Sequence, residues 1–234
     1  MRTPRLLILF VAAFLLAMIA FAPLSLALGA AKGRLTADRV EGTLWAGRLT
    51  GARLAGLPLG TVKTRTQILP LLTGAVRLRA EARGGAFAGQ GLLLAAGSRT
   101  GADEVSGLLA LDRLGFAGPV SGALKLDKAA AVFQRGQCRQ AAGKATAQLG
   151  GTGLLAQPVT LAGAPVCSAG RWVLPMAGEA QGLRIEARIS LDGDGAWRSE
   201  LILIPTDPAM GQALAAAGFT QDGDRWRRAT EGRP

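Results

Sequence analysis

An uncharged apolar run near the start of the chain limits most strongly how this protein can fold. No charged residue occurs between Leu6 and Ala31. A helix needs about 20 apolar residues to cross a hydrocarbon layer about 30 Å thick, and this run supplies them. The sequence therefore predicts a single transmembrane anchor at residues 6–28, preceded by a basic tail at residues 1–5.

A cleaved signal peptide is the alternative to this anchor. Ser25, Leu26 and Ala27 form the small–x–small pattern of a cleavage site. The run before Pro23 exceeds the apolar stretch of about 7–15 residues that a signal peptide carries, which favours an uncleaved helix. A basic tail before an apolar run also acts as an export signal. We therefore expect the tail in the cytoplasm and residues 32–234 outside the cytoplasmic membrane.

The remaining chain alternates apolar and polar residues with period two. The clearest case is Arg184–Leu191, which is followed by a turn and by Trp197–Ile204, a run that reads as the returning strand. The same alternation occurs at Thr61–Leu69, Ala75–Glu81, Ala123–Leu126 and Lys144–Leu149. Short strands separated by glycine-rich turns predict a mainly β domain, an antiparallel meander or a sandwich, over residues 32–220.

One short helix is predicted near the C-terminus. Asp207 suits an N-cap, Pro208 suits the first helical position, and Gly218 suits the residue after the helix, with Phe219 placed for an apolar contact. The segment that follows, residues 221–234, is polar and rich in arginine. We expect it to be a tail with a frayed end.

The composition excludes many kinds of chemistry. The chain has no His and no Tyr, which removes histidine-based catalytic triads and histidine-ligated metals. We predict no catalytic residue, no cofactor and no metal site, and we interpret the adjacent Asp103 and Glu104 as a solvated turn. The net charge is +11, but the basic residues are scattered, and the only doublet is Arg227–Arg228. We therefore predict no nucleic-acid partner.

The two cysteines, Cys138 and Cys167, lack the CxxC spacing of redox motifs. In an oxidising compartment they can close a disulfide loop. Two buried free thiols are the alternative.

A small-residue element with one large aromatic stands out at Gly42–Gly47. Its sequence is Gly42-Thr43-Leu44-Trp45-Ala46-Gly47. The flanking glycines permit a tight turn or close strand approach, and Trp45 supplies a large apolar face. We interpret Trp45 as an anchor of the core.

Taken with the N-terminal anchor, this element resembles the type II secretion system protein N family. The stretch from Ile68 through Pro70 to Gly74 is similar to the family's P-x-L-x-G step between strands, although Arg65 and Gln67 stand where the family usually has an aromatic. The segments around Cys138 and Cys167, and the pattern Pro205–Phe219, are also similar to the family. The resemblance implies a non-enzymatic inner-membrane protein with a periplasmic β domain that serves the export of folded proteins across the outer membrane. Its implied partners are other inner-membrane components of the secretion machinery.

The same element is similar to segments of AsmA-like envelope proteins. That likeness implies the alternative function, a lipid-handling protein whose β-sheet curves into an apolar groove. Under this alternative lipid is a partner, and an unbroken apolar inner face would favour it over a filled sandwich core.

Overall fold

The computed structural model describes residues 10–11, 14, 17–18, 21–25, 35–54, 57–114, 121–150, 158–180, 182–207 and 210–233. Within these ranges sixteen strands form one sheet, and the strand pairings are antiparallel. The predicted mainly β antiparallel fold is confirmed. Of its two forms, the structure has the meander, as one open sheet.

The strands are β1 (Leu35–Thr36), β2 (Arg39–Gly42), β3 (Ala46–Leu54), β4 (Leu57–Gln67), β5 (Ala75–Gly84), β6 (Phe87–Ala96), β7 (Arg99–Ala110), β8 (Ser121–Gln134), β9 (Gln137–Gly150), β10 (Val159–Gly163), β11 (Val166–Ser168), β12 (Arg171–Ala180), β13 (Leu183–Leu191), β14 (Trp197–Pro205), β15 (Thr220–Asp222) and β16 (Arg225–Gly232). Two 3-10 helices, Leu69–Thr73 and Leu111–Leu114, and the α-helix α1 (Met210–Ala216) complete the described elements.

Strands that follow one another in sequence lie side by side. From β3 to β10 each strand pairs with the next, and β12, β13 and β14 continue the row. At one edge β1 and β2 both pair with β3, and at the other edge β16 is followed by β15. Tight hairpins connect several pairs of neighbouring strands, and glycine occupies turn positions with positive φ in them, such as Gly97 (55°) and Gly136 (79°).

The two faces of the sheet differ in polarity because side chains alternate along each strand. In β13, Leu183 and Ile185 are 3% and 1% exposed on the inner face, whereas Arg184 and Glu186 form an ion pair of 3.1 Å on the outer face. This is the alternation read from Arg184–Leu191. Because paired residues on neighbouring strands point to the same side, the sheet has a largely apolar inner face and a mostly polar outer face.

The inner face carries two separate cores. The C-terminal core lies on β8–β16 and includes residues that are almost fully buried, and its members are Leu124, Ala145, Ala147, Leu149, Val159, Leu161, Leu174, Met176, Leu183, Ile185, Leu203, Leu214, Phe219 and Trp226. The N-terminal core lies on β3–β5, and its members are Leu24, Leu49, Ala52, Val62 and Ala82. Between the two cores the inner face of β5–β7 is less covered, as Val76 and Leu93 are 44% and 46% exposed.

Helix α1 covers the C-terminal core and ends as the sequence predicts. Leu214 is 1% exposed beneath it. Gly218 has φ of 81°, its N–H donates to the Ala215 carbonyl at 3.0 Å, and the Phe219 N–H donates to the Leu214 carbonyl at 3.1 Å. These two bonds form a Schellman motif, and Phe219 is buried against the core. Pro208, the predicted first helical residue, lies outside the described residues.

The arginine-rich segment after Thr220 differs from the expected polar tail. Its residues 225–232 form β16, which pairs with β14 over seven positions from Leu203↔Trp226 to Trp197↔Gly232. Trp226 is 8% exposed in the C-terminal core, and Arg227 pairs with Glu200 at 2.9 Å on the outer face. The strand carries so many charges because its outer side faces solvent at the edge of the sheet.

Much of the apolar run, and the whole of residues 1–5, lie outside the described residues. Residues 10, 11, 14, 17 and 18 are helical, and large side chains among the described ones are exposed: Phe10 by 69%, Phe14 by 56% and Phe21 by 78%. Among the described residues, no helix is both long and apolar enough to cross a membrane.

Candidate functional site

The Gly42–Gly47 element forms the turn between β2 and β3. Gly42 has φ of 92°, and a Cβ at this position would lie 2.4 Å from the Ala46 carbonyl oxygen, so a side chain does not fit. The Thr43 N–H donates to the Ala46 carbonyl at 3.0 Å, and the Thr43 hydroxyl accepts a bond from the Trp45 N–H at 3.3 Å. Gly42 and Thr43 therefore fix the geometry of this turn.

The end of the apolar run docks against the same turn. The Leu44 N–H donates to the Ala22 carbonyl at 3.0 Å, and Pro23 forms an antiparallel bridge with Thr43. Leu24 follows and is only 6% exposed in the N-terminal core. A Cβ at Gly47 would lie 2.4 Å from Leu24 Cδ2, so this glycine leaves the space that the leucine occupies. We call Ala22–Leu24 and the turn that holds them the N-terminal socket.

Trp45, which the sequence suggests as a core anchor, is half-buried, and its neighbour Leu44 packs against the N-terminal core. The Trp45 carbonyl accepts a bond of 3.0 Å from the Thr66 N–H, and the Leu44 carbonyl accepts one from the Thr66 hydroxyl. The backbone at Trp45 thus joins the socket to the end of β4.

The second motif follows two residues after Thr66 and forms the connection between β4 and β5. Pro70 lies in the first turn of the 3-10 helix Leu69–Thr73, and Gly74 ends it with φ of 73°. The Gly74 N–H donates to the Leu71 carbonyl at 3.0 Å, and the Thr73 hydroxyl donates to the Pro70 carbonyl at 2.8 Å. Pro70 and Gly74 therefore begin and end the step, as suits their backbone preferences.

Cations line the outer face beside both motifs. Arg48 lies opposite Lys63 across β3 and β4, and Arg65 lies opposite Arg79 across β4 and β5. They border a cleft of about 680 Å³ on this face, which is also lined by Glu41, opposite Arg48, and Glu81, opposite Lys63. Among the described residues none of these four cations forms an ion pair, although like charges directly opposite each other destabilise a sheet.

The two cysteines form a disulfide far along the chain from these motifs. Cys138 at the start of β9 is bonded to Cys167 in β11, with the Cα atoms 5.5 Å apart. Cys138 is 7% exposed, and its N–H donates to the Gly170 carbonyl at 2.7 Å. The bond ties the short strand β11 to the long strand β9. Sequence reasoning left free thiols as an alternative, and the structure has the disulfide.

The groups described above make structural contacts. No group of three His, Cys, Asp or Glu side chains that could hold a metal occurs among the described residues. Asp103 and Glu104 do not form a turn between strands: they lie within β7 at a bulge, where Glu104 has φ of 50°. What the sheet brings together is the socket, the 3-10 helix and a set of cations.

The fold and these motifs define a class of protein: a single amphipathic antiparallel sheet whose first strands hold the end of an apolar N-terminal segment. A family model described as type II secretion system (T2SS), protein N, matches residues 33–230, and the chain belongs to that family. The resemblance noted from the sequence is thereby confirmed. No curated protein and no solved structure matches the chain.

Family membership makes the chain a component of type II secretion machinery, which serves protein transport and is membrane-associated. It implies association with other components of that system. The family is a machinery component and is not known as an enzyme family.

Proposed function

We propose that the protein is a non-enzymatic, single-pass subunit of the bacterial inner membrane that supports assembly of the type II secretion machinery. Its anchor is the part of the predicted span 6–28 that precedes Ala22, and the sheet lies in the periplasm. The observation that supports this most directly is the N-terminal socket. Leu24 is part of the N-terminal core, and Ala22 and Pro23 pair with the β2–β3 turn, so the sheet holds the apolar run from Ala22 onward.

The socket also favours an uncleaved anchor over a signal peptide. Cleavage after Ala27 would remove Ala22–Leu24 from the folded domain and leave a cavity beside Gly47. With the segment retained, the domain has almost no free linker, so it stays close to the membrane surface. Such tethering raises the effective concentration of the domain near other membrane-held components.

The role in secretion is tested in a strain that lacks the gene. We expect folded exoproteins to accumulate in the periplasm and to return to the medium when the gene is restored. A gene that encodes Leu24→Ala should restore export less well than one that encodes Leu108→Ala, because Leu108 is 52% exposed on the outer face. Normal export without the gene would contradict the proposal.

The second candidate function is the handling of envelope lipids, and the inner face of β5–β7 favours it. In this part of the sheet Leu78 lies opposite Leu93, and Leu93 lies opposite Ala102, so the face stays apolar between the two cores. Val76 and Leu93 remain almost half exposed there. Mass spectrometry of the gently solubilised full chain tests this function: acyl lipid that is retained by the native chain and lost from Leu93→Asp would support it. Normal export with altered outer-membrane permeability in the deletion strain would favour it over the secretion role.

A further inference from the structure

The 3-10 helix between β4 and β5 places apolar residues at one end of the sheet. Its sequence from Ile68 to Leu72 reads Ile-Leu-Pro-Leu-Leu, and Ile68 is 63% exposed. Ile68 belongs to neither core. Its exposed side chain is therefore available for contact with an apolar environment at this end of the sheet.

Three arginines stand directly beside this turn on the outer face. Arg65 lies opposite Arg79, and Arg77 lies opposite Gln67, the last residue of β4. All three arginines are exposed, and no ion pair to any of them occurs among the described residues. Side chains two residues apart on one face are separated by about 7 Å, and directly opposite Cβ atoms by about 5 Å. The three guanidinium groups therefore form a compact cationic cluster.

The apolar run leaves the sheet at this same end. Strand β2 runs toward the β2–β3 turn, and its last position before the turn is Gly42. Pro23 pairs antiparallel with Thr43, and Ala22 accepts a bond from Leu44, one residue farther toward the end. The chain at Phe21 therefore lies past the end of the sheet, and Phe21 is 78% exposed.

The socket and the arginines also share one row across the sheet. Thr43 bonds to Ala46, and Ala46 lies opposite Arg65. At about 4.8 Å per strand, Arg65 lies about 14 Å from Pro23 and Arg79 about 19 Å from it. A planar surface that contains the exit point of the apolar run would therefore meet the arginines and the 3-10 helix as well.

We propose that Ile68–Gly74 together with Arg65, Arg77 and Arg79 form a docking surface for anionic phospholipid headgroups of the membrane that holds the N-terminal run. This end surface rests on the proposed anchor. Its chemistry is that of an interfacial segment: the apolar turn enters the boundary between headgroups and acyl chains, and the guanidinium groups bind lipid phosphates. An acidic protein would satisfy the arginines but would leave Ile68 and its neighbours without an apolar environment, so the bilayer fits both features.

Hydrogen–deuterium exchange on the full chain tests this surface. The chain is reconstituted into nanodiscs of phosphatidylcholine alone or of phosphatidylcholine with phosphatidylglycerol, and exchange of the peptides that cover residues 66–79 is measured. We expect these amides to exchange more slowly in the anionic discs. Replacing one arginine, as in Arg77→Gln or Arg79→Gln, should reduce the lipid-dependent slowing about fivefold, and Ile68→Asp should abolish it.

Matched controls lie at the opposite end of the sheet. Arg53 is exposed in β3 beside the β3–β4 turn, and Leu108 is 52% exposed in β7 opposite Ala88. Arg53→Gln and Leu108→Asp should leave the slowing at residues 66–79 unchanged. Equal losses from the control and test variants would overturn the proposal, because they would show a general effect of charge or stability.

The remaining outcomes separate the end surface from the anchor on which it rests. A chain that resists alkaline extraction from membranes, but whose residues 66–79 exchange equally fast in both kinds of disc, would overturn the end surface and leave the anchor standing. If alkaline carbonate extracts the chain from membranes, this result would overturn both the anchor and the proposed end surface. Slowing that appears only when other secretion components are added to the discs would also overturn it and would assign the arginines to a protein partner.

Discussion

Truncating Leu24 to alanine tests whether the N-terminal socket is part of the folded domain. The leucine is 6% exposed and packs with Leu49, Ala52 and Val62, although it precedes the first strand of the sheet. Burying a leucine side chain contributes about 1.5–3 kcal/mol, and core Leu→Ala changes cost about 2–5 kcal/mol because a cavity remains. At a sheet edge the site can partly collapse, so we expect Leu24→Ala to lower the free energy of unfolding by about 2–3 kcal/mol.

The measurement is denaturant unfolding of the full chain in detergent, followed by tryptophan fluorescence and by circular dichroism. For a domain of this size the loss corresponds to a fall in melting temperature of about 5–10 °C. Leu108→Ala is the matched control, because the same atoms are removed from a side chain that is 52% exposed. We expect that variant to stay within about 0.5 kcal/mol of the native chain.

A double-mutant cycle makes the reasoning more specific. In Gly47→Ala the new Cβ would lie 2.4 Å from Leu24 Cδ2 and 3.2 Å from the Glu41 carbonyl oxygen, so the leucine side chain must shift. Overpacking of this kind costs about 1–3 kcal/mol. Once Leu24 is an alanine the closest clash is gone, and the two changes together should cost about 1 kcal/mol less than their sum. Additive costs, or a Leu24→Ala variant as stable as Leu108→Ala, would refute the docking of Ala22–Leu24.

Three further predictions follow from other parts of the fold. Replacing Cys138 and Cys167 by serine opens a loop that spans 29 positions. We expect this change to lower the free energy of unfolding by about 3–4 kcal/mol relative to the native chain. Treating the native chain with a thiol-blocking reagent should cause no such loss. Leu214→Ala should cost about 3 kcal/mol in the same unfolding assay, because this side chain is 1% exposed under α1, and a cost below 1 kcal/mol would show that α1 does not cover the core. Gly74→Ala should lower the free energy of unfolding by only about 1–2 kcal/mol, the strain of a positive φ, since a Cβ there meets open space. Gly42→Ala should cost more, because its Cβ would meet the Ala46 carbonyl oxygen. Equal costs for the two variants would contradict this difference.

The strands that could be predicted from sequence are those whose two faces differ sharply in polarity. Arg184–Leu191 was readable because apolar side chains alternate with polar and charged ones, and Trp197–Ile204 was readable as the strand returning from the turn that follows it; the register joins them as β13 and β14. β6 and β7 gave no such signal. On β6 the inner positions include Gly89 and Gly91, so hydropathy does not alternate, and neighbouring strands alone define which side faces inward.

The candidate site could be predicted only in part, for a related reason. Glycine and proline marked both turns, because Gly42 and Gly74 have positive φ and Pro70 lies in the first turn of the 3-10 helix. The meeting of the two turns depends on the register of β3 with β4 and on the bonds from Thr66, which no local pattern encodes. Nothing in the local sequence indicated that Leu44, the residue before Trp45, packs against the N-terminal core.

The edges of the sheet limit how this protein can meet other components of the secretion machinery. One edge is formed by β1 and β2, with two and four residues, and the other by β15, with three. Short edge strands offer few unpaired backbone groups. The part of β16 that β15 does not cover carries the charged Arg228 and Glu231, which disfavour the addition of another strand. The long interior strands, up to 14 residues in β8 and β9, instead present broad faces that extend about 46 Å at 3.3 Å per residue. Contacts with partners are therefore expected on the polar face, at a distance from the membrane that the strand length and the socket together fix.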